Sequence, residues 1–152
     1  SSSMESVILD SIVQIAEQGI EFTYLILLQP TSPLRDSIDI DAACKKFLQV
    51  NASSLISVTN VDSSVLKTLV ADKEGFLSAA FDDKFPSMNR QELPLAYRPN
   101  GAIYIIDKNL FLNNPTFFQK NTAMYEMGAN KSVDVDTIDD IRKIEKLTTI
   151  QV

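Results

Sequence analysis

The 152-residue sequence contains no histidine and a single cysteine, Cys44. Without histidine there is no Ser-His or Cys-His couple, no imidazole metal ligand and no imidazole base. Any chemistry must rest on carboxylates, arginine, lysine, amides and hydroxyls. One cysteine rules out an internal disulfide, which fits a reducing cytoplasm. Cys44 stands in a helical pattern beside Ala43 and Phe47 and reads as a structural thiol. Glycine is scarce: Gly19, Gly75, Gly101 and Gly128 are scattered, and none belongs to a Gly-rich phosphate loop. No apolar run approaches a membrane span, and no signal-peptide pattern opens the chain. The net charge of −6 argues against broad binding to nucleic acid or anionic membrane. What is present is apolar material, 45% of the residues, enough for one packed domain.

The pattern of that material predicts an α/β fold. Ser2-x-x-Glu5 reads as a capping box ahead of a helix carrying Met4, Ile8, Ile12 and Ile15, which Gly19 stops. Phe22 to Leu28 is a near-continuous apolar run, as in a strand buried on both faces of a parallel sheet. Gln29-Pro30-Thr31-Ser32-Pro33 breaks it. A second helix is expected over Ile38 to Val50 and a second strand over Leu55 to Val61. Helix, strand, helix, strand in this order implies a mostly parallel sheet. The first helix has no strand before it, so the chain is expected to begin partway into a domain, without a first strand and phosphate loop. Val65 to Val70 and Phe76 to Phe81 flank Asp72-Lys73-Glu74-Gly75, a hairpin signal. Phe85 to Asn100 reads as an extended excursion, and Ala102 to Ile106 returns as a strand. Lys108 to Leu112 suits a short helix; Ala123 to Met127 and Ser132 to Val135 suit short strands. Asp136 or Thr137 caps a last helix bearing Ile138, Ile141, Ile144 and Leu147.

Gln29 follows a strand end, the edge at which open α/β sheets bind ligands. Its amide suits sugar hydroxyls; it suits a turn equally well. Asp134 and Asp136, at i and i+2, face one side if extended, as two ligands of Mg²⁺ would. By spacing alone, a helix cap at Asp136 and a solvated Asp134 is the simpler reading. Arg90 and Arg98, with Lys67 upstream, are cations in a polar stretch of an acidic chain, and they suit an anionic ligand or a solvated surface. Tyr104, Phe117 and Phe118 read as core.

Three stretches change these readings. Leu27 to Arg35 (LLQPTSPLR), Arg98 to Ile105 (RPNGAIYI) and Ser132 to Thr137 (SVDVDT) resemble, in order and separation, signatures of the acylneuraminate cytidylyltransferases. The resemblance runs from about Met4 to Leu147. KDO cytidylyltransferases look different at the first stretch. The resemblance implies a Rossmann-like nucleotide-diphospho-sugar transferase sheet, divided into an incomplete nucleotidyltransferase domain over 1–66 and 101–152 and a β-hairpin dimerisation excursion over 67–100. It implies transfer of CMP from CTP to a sialic-acid-type nonulosonic acid, with Mg²⁺ as cofactor, in a cytoplasmic homodimer. Gln29, Arg98 and Asn100 then match residues of the acid-sugar pocket. Tyr104, Phe117 and Phe118 match the wall around its N-acyl group, and Asp134 and Asp136 match the metal-binding aspartates. Arg90 and Lys67 match cations that reach the partner's active site. The family's Arg-x-Gly-Ser-Lys loop for triphosphate and cytosine has no counterpart, so this chain alone is expected to be inactive. The alternatives are a non-catalytic dimerising fragment of such an enzyme and another sugar nucleotidyltransferase.

Overall fold

The computed structural model describes residues 3–135 and 137–149, with 143 and 146–149 described by backbone only. The first helix, α1 (Met4–Glu17), is capped by Ser3, whose hydroxyl accepts from the Ser6 amide; Ser2 of the expected capping box lies outside the described residues. It ends where Gly19 takes φ +74°, with Ile20 N–H bonded to Ile15 C=O and Gly19 N–H to Ala16 C=O. These paired bonds close a helix C-terminus through a left-handed residue, for which glycine has no steric cost.

Strand β1 (Tyr24–Leu27) leads to α2 (Ser37–Gln49), where Asp36 and Asp39 form a reciprocal capping box. Strand β2 (Ser54–Val61) follows, then a 3-10 turn over Ser63–Lys67 and a separate hairpin, β3 (Leu69–Ala71) with β4 (Leu77–Ala79). The first hairpin arm is shorter than its sequence signal, because Val65 to Lys67 coil instead of extending. Strand β5 (Ala96–Asp107) is one long element, so the last residues of the polar excursion already lie in the sheet. Helix α3 (Lys108–Asn113), strand β6 (Thr122–Glu126) and helix α4 (Ile138–Thr149) complete the chain. Thr137 caps α4, exchanging bonds with Asp140. Ser132 to Val135 forms no strand; it is an irregular loop pinned by Val135 N–H to Thr31 C=O at 2.9 Å.

The main sheet has the order β1-β5-β2-β6. It is mixed, not mostly parallel. β1 and β2 run the same way, as a strand-helix-strand unit requires, but β5 lies between them antiparallel to both, and only β2 with β6 forms a parallel pair. The long excursion before β5 lets the chain re-enter from the opposite end, which order of elements alone does not reveal. β1 is therefore an edge strand. Leu25 and Leu27 pack inward while Tyr24 and Ile26 stay 47% and 44% exposed, so this run is not buried on both faces.

Alternation along the strands feeds two cores. Ile56, Val58 and Ile106 meet Ile8 and Ile12 of α1 and Phe111 of α3 on one face. Leu55, Ile103 and Ile105 meet Ala43 and Phe47 of α2 on the other. Cys44 packs beside that second core, and burial pushes its thiol pKa up, as suits a structural residue. No helix among the described residues is long and apolar enough to cross a membrane.

Candidate functional site

β1, β2 and β6 point in one direction, and their C-terminal ends border an open cleft of about 440 Å³. The cleft is shaped by a break in sheet register. Ile56 faces Tyr104 and Val58 faces Pro99, so the β5 residues between Pro99 and Tyr104 bulge out opposite Ser57. Pro99, which has no N–H to donate, and Gly101, at φ +75°, are residue types suited to such a bulge.

Buried side chains hold the bulge open. Ser57 Oγ donates to Asn100 Oδ1 at 2.6 Å and accepts from Ile103 N–H at 2.7 Å. Asn100 Oδ1 also accepts from Ala102 N–H at 3.2 Å, and Asn100 Nδ2 donates to Ser132 Oγ at 2.9 Å. Ser32 Oγ donates to Asn100 C=O at 3.0 Å. Asn100 thus ties together β2, the loop after β1 and the loop after β6. These are the three places from which the cleft is built.

The loop after β1 is itself braced. The Arg35 guanidinium donates to Gln29 C=O at 2.6 Å and to Ser32 C=O at 2.9 Å, which closes the Gln29–Arg35 turn. The Gln29 side chain lies over Gly101, and its Nε2 is 3.5 Å from Met4 Sδ. After β6, Lys131 Nζ reaches Asp36 at 2.6 Å and Asp39 at 2.9 Å, anchoring the start of the Ser132–Val135 loop to the N-terminus of α2. Those two carboxylates hold the Lys131 ammonium well above the usual lysine range, through the hydrogen bond from Asp36 first and Asp39 next. The positive charge nearest Asp134 in sequence is thereby committed elsewhere.

Five sequence-predicted residues converge on the cleft: Gln29, Arg98, Asn100, Tyr104 and Asp134. Tyr104 is half-buried, with its ring 5.1 Å from that of Phe117. Burial, and then the Asp134 charge, raise its phenol pKa above the usual value, so it stays a neutral donor. Phe117 supports Tyr104 from below and is 3% exposed within the α1-side core, against Phe111. It backs the cleft without lining it. Phe118 is 66% exposed and lies outside the lining. Arg90 is exposed and paired with Asp62 of its own chain, and Lys67 sits in the 3-10 turn; neither lines this cleft. Asp136 lies outside the described residues.

Sequence reading did not single out Thr59, Pro99, Gly101 or Ser132 as site residues, and these also line the cleft. One signal was available: Ser57 and Thr59 are hydroxyl residues at alternate positions, so they share one face of the strand.

The cleft has hydrogen-bonding groups on its walls, one exposed guanidinium and one exposed carboxylate. It suits a polar anionic ligand that also presents hydroxyls. Among the described residues no three His, Cys, Asp or Glu side chains cluster as a self-sufficient metal cage. Mg²⁺ does not need one, since it is commonly held by one or two carboxylates together with water and substrate phosphates. Asp134, exposed at the rim and without an ion pair among the described residues, fits that role.

No protein-family model matches the chain. Individual relatives do. It is 37% identical over 116 residues to an N-acylneuraminate cytidylyltransferase of Streptococcus agalactiae serotype III, a match covering 76% of this chain and 28% of that protein. It is 36% identical over 134 residues to an N-acylneuraminate cytidylyltransferase of Escherichia coli O18:K1:H7, covering 86% and 30%. It is 31% identical over 127 residues to the post-translational flagellin modification protein B of Campylobacter coli, covering 84% and 53%. The chain thus spans about three tenths of the two cytidylyltransferases' length. Among solved structures, CMP:2-keto-3-deoxy-manno-octonic acid synthetase complexed with CTP superposes with a TM-score of 0.62 at 14% identity, covering 94% of this chain and 68% of the other. That likeness shows a shared α/β fold. Taken with the cleft that the three motif stretches build, the sequence matches show that this chain belongs to the acylneuraminate cytidylyltransferase family.

Proposed function

We propose that the protein carrying this chain transfers CMP from CTP to a nonulosonic acid of the sialic-acid type and releases pyrophosphate. The observation that supports this most is the meeting of Gln29, Arg98, Asn100, Tyr104 and Asp134, drawn from three separate stretches, in one cleft at the C-terminal strand ends.

In this reading the exposed Arg98 guanidinium pairs with the sugar carboxylate, whose planar geometry it matches. Gln29 supplies donors and an acceptor for sugar hydroxyls. Tyr104, backed by Phe117, forms an apolar wall for the N-acyl group and offers a neutral O–H at its tip. The anomeric hydroxyl attacks the α-phosphorus of CTP; its proton is lost, an O–P bond forms, and the bond to the β-phosphate breaks with pyrophosphate leaving. Asp134, with Asp136, would hold Mg²⁺, which when bound offsets charge on the phosphate oxygens. The chain's own contribution is to fix the sugar's orientation on a rigid bulge. Arg90, Lys67 and the excursion over 67–100 are assigned to a homodimer interface, and a reaction that consumes CTP belongs in the cytoplasm.

The test is CMP-sugar formation by the protein carrying this chain, with CTP, Mg²⁺ and in turn N-acetylneuraminate, legionaminate and pseudaminate. One acid sugar is consumed with stoichiometric pyrophosphate. Arg98→Ala raises the sugar KM about 10- to 100-fold, the range of a hydrogen bond to a charged group. Failure of all three sugars to react would overturn the proposal.

A further inference from the structure

Thr59 is a polar residue in the most buried strand of the sheet, 7% exposed, and it lines the cleft. Its cross-strand partner in β5 is Arg98. Directly opposed residues of an antiparallel pair project from the same sheet face, so the hydroxyl and the guanidinium stand side by side. Ser57 lies two residues earlier on β2 and Asn100 two residues later on β5, on that same face, yet these two satisfy each other. Thr59 differs: among the described residues its hydroxyl makes no hydrogen bond to protein. It is not sealed off either, because no buried side-chain oxygen or nitrogen among the described residues lacks a partner. The hydroxyl therefore faces open space, and the open space at Thr59 is the cleft.

An unpartnered hydroxyl in a buried strand, open to a cleft beside a guanidinium, is a group left for a ligand. Beside a guanidinium, the ligand group that uses both is a carboxylate, which accepts from several donors at once. We propose that Thr59 is a substrate-binding residue, its O–H donating to the same carboxylate of the acid sugar that Arg98 pairs with. The inference rests on the acid-sugar reading of the cleft. It adds a residue that none of the three signature stretches contains, since Thr59 lies in β2 between the first and second of them. It also gives the site a discriminating contact, because a sugar that lacks the carboxylate leaves both donors without a partner.

Thr59→Val tests it. Valine matches threonine in shape, suits a strand, and removes a hydroxyl that bonds nothing in the protein, so thermal stability holds or rises. The KM for the acid sugar rises about 10- to 100-fold while kcat changes by less than about threefold, as for loss of a contact made equally in ground and transition states. Thr59→Ser restores the hydroxyl and recovers most of the affinity. A purely structural threonine predicts the opposite: unchanged KM in the valine variant. Active wild-type enzyme with a KM unmoved in Thr59→Val, or a serine variant as impaired as the valine one, overturns the inference and leaves the assigned reaction standing. Wild-type protein that forms no CMP conjugate from any acid sugar overturns the assigned reaction, and this contact with it.

Discussion

The side-chain amide oxygen of Gln29 occupies the space that a Cβ on Gly101 would need. One residue lies in the loop just after β1, in the first signature stretch, and the other sits in the bulge of the second. The two motifs are fitted to each other, and Gly101 is at φ +75° besides.

Gly101→Ala should therefore cost twice. Alanine at positive φ is strained by about 1–2 kcal/mol, and its methyl group drives the Gln29 amide out of place. Urea denaturation should show the stability loss, and the sugar KM should rise beyond what that loss explains. A variant with reduced stability and normal KM would mean that the position of Gln29 is immaterial to binding.

The neighbouring phenylalanines should separate cleanly. Phe117 is buried against Phe111 and Tyr104, and Phe117→Ala should destabilise the fold by about 3–5 kcal/mol. Phe118 is exposed, so Phe118→Ala should leave thermal stability nearly unchanged. Equal destabilisation by both, read from the same melting experiment, would contradict the packing.

Asp134→Asn keeps the shape of an exposed side chain and removes its charge. Folding should be unaffected, since no ion pair to Asp134 exists among the described residues. Turnover should fall by about 10² or more, with a shifted Mg²⁺ requirement. An unchanged Mg²⁺ titration would remove Asp134 from the metal assignment.

Lys131 tethers the loop that carries Asp134 to Asp36 and Asp39. The raised Lys131 pKa means that its contribution is complete below the ordinary lysine value and is lost only as pH climbs through the higher folded value. Asp36 is held below the ordinary carboxylate value, first by its bond from Lys131, so its contribution is complete above that value and lost as pH falls through the lower one. The tether is thus constant between about pH 5 and 9. Hydrogen exchange at the Val135 amide, bonded to Thr31 C=O, should be equally protected across that window once corrected for intrinsic rates. Lys131→Met should lower the protection and Lys131→Arg should largely keep it. Protection that survives the methionine variant would show that the loop is held without the tether.

The hairpin and the segment between it and β5 expose Val70, Phe76, Leu77, Phe81 and Leu95. If this surface forms the proposed homodimer, light scattering should give twice the chain mass, and Leu77→Asp should give monomer with unchanged secondary structure. A monomer at high concentration in the unsubstituted protein would count against the dimer.

Several features were legible in the sequence because they rest on local rules. The α1 and α2 periodicities, the hairpin turn at Gly75, the short α3 and the Thr137 cap all depend on residues within a few positions of one another. So did the three motif stretches, which identified most of the residues that meet in the cleft. What pattern could not supply was the antiparallel entry of β5 between β1 and β2, because a strand's neighbours are set by where a long connection returns, not by its own residues. That placement made β1 an edge strand and brought Thr59 opposite Arg98. It also made Asn100, a residue of the cleft wall, a bonded hub between Ser57 and Ser132. Residue types determined what chemistry this chain can do without histidine. Tertiary structure decided which of those groups are satisfied by the protein and which remain open to a ligand, since a hydroxyl's partners are fixed only when distant strands pair.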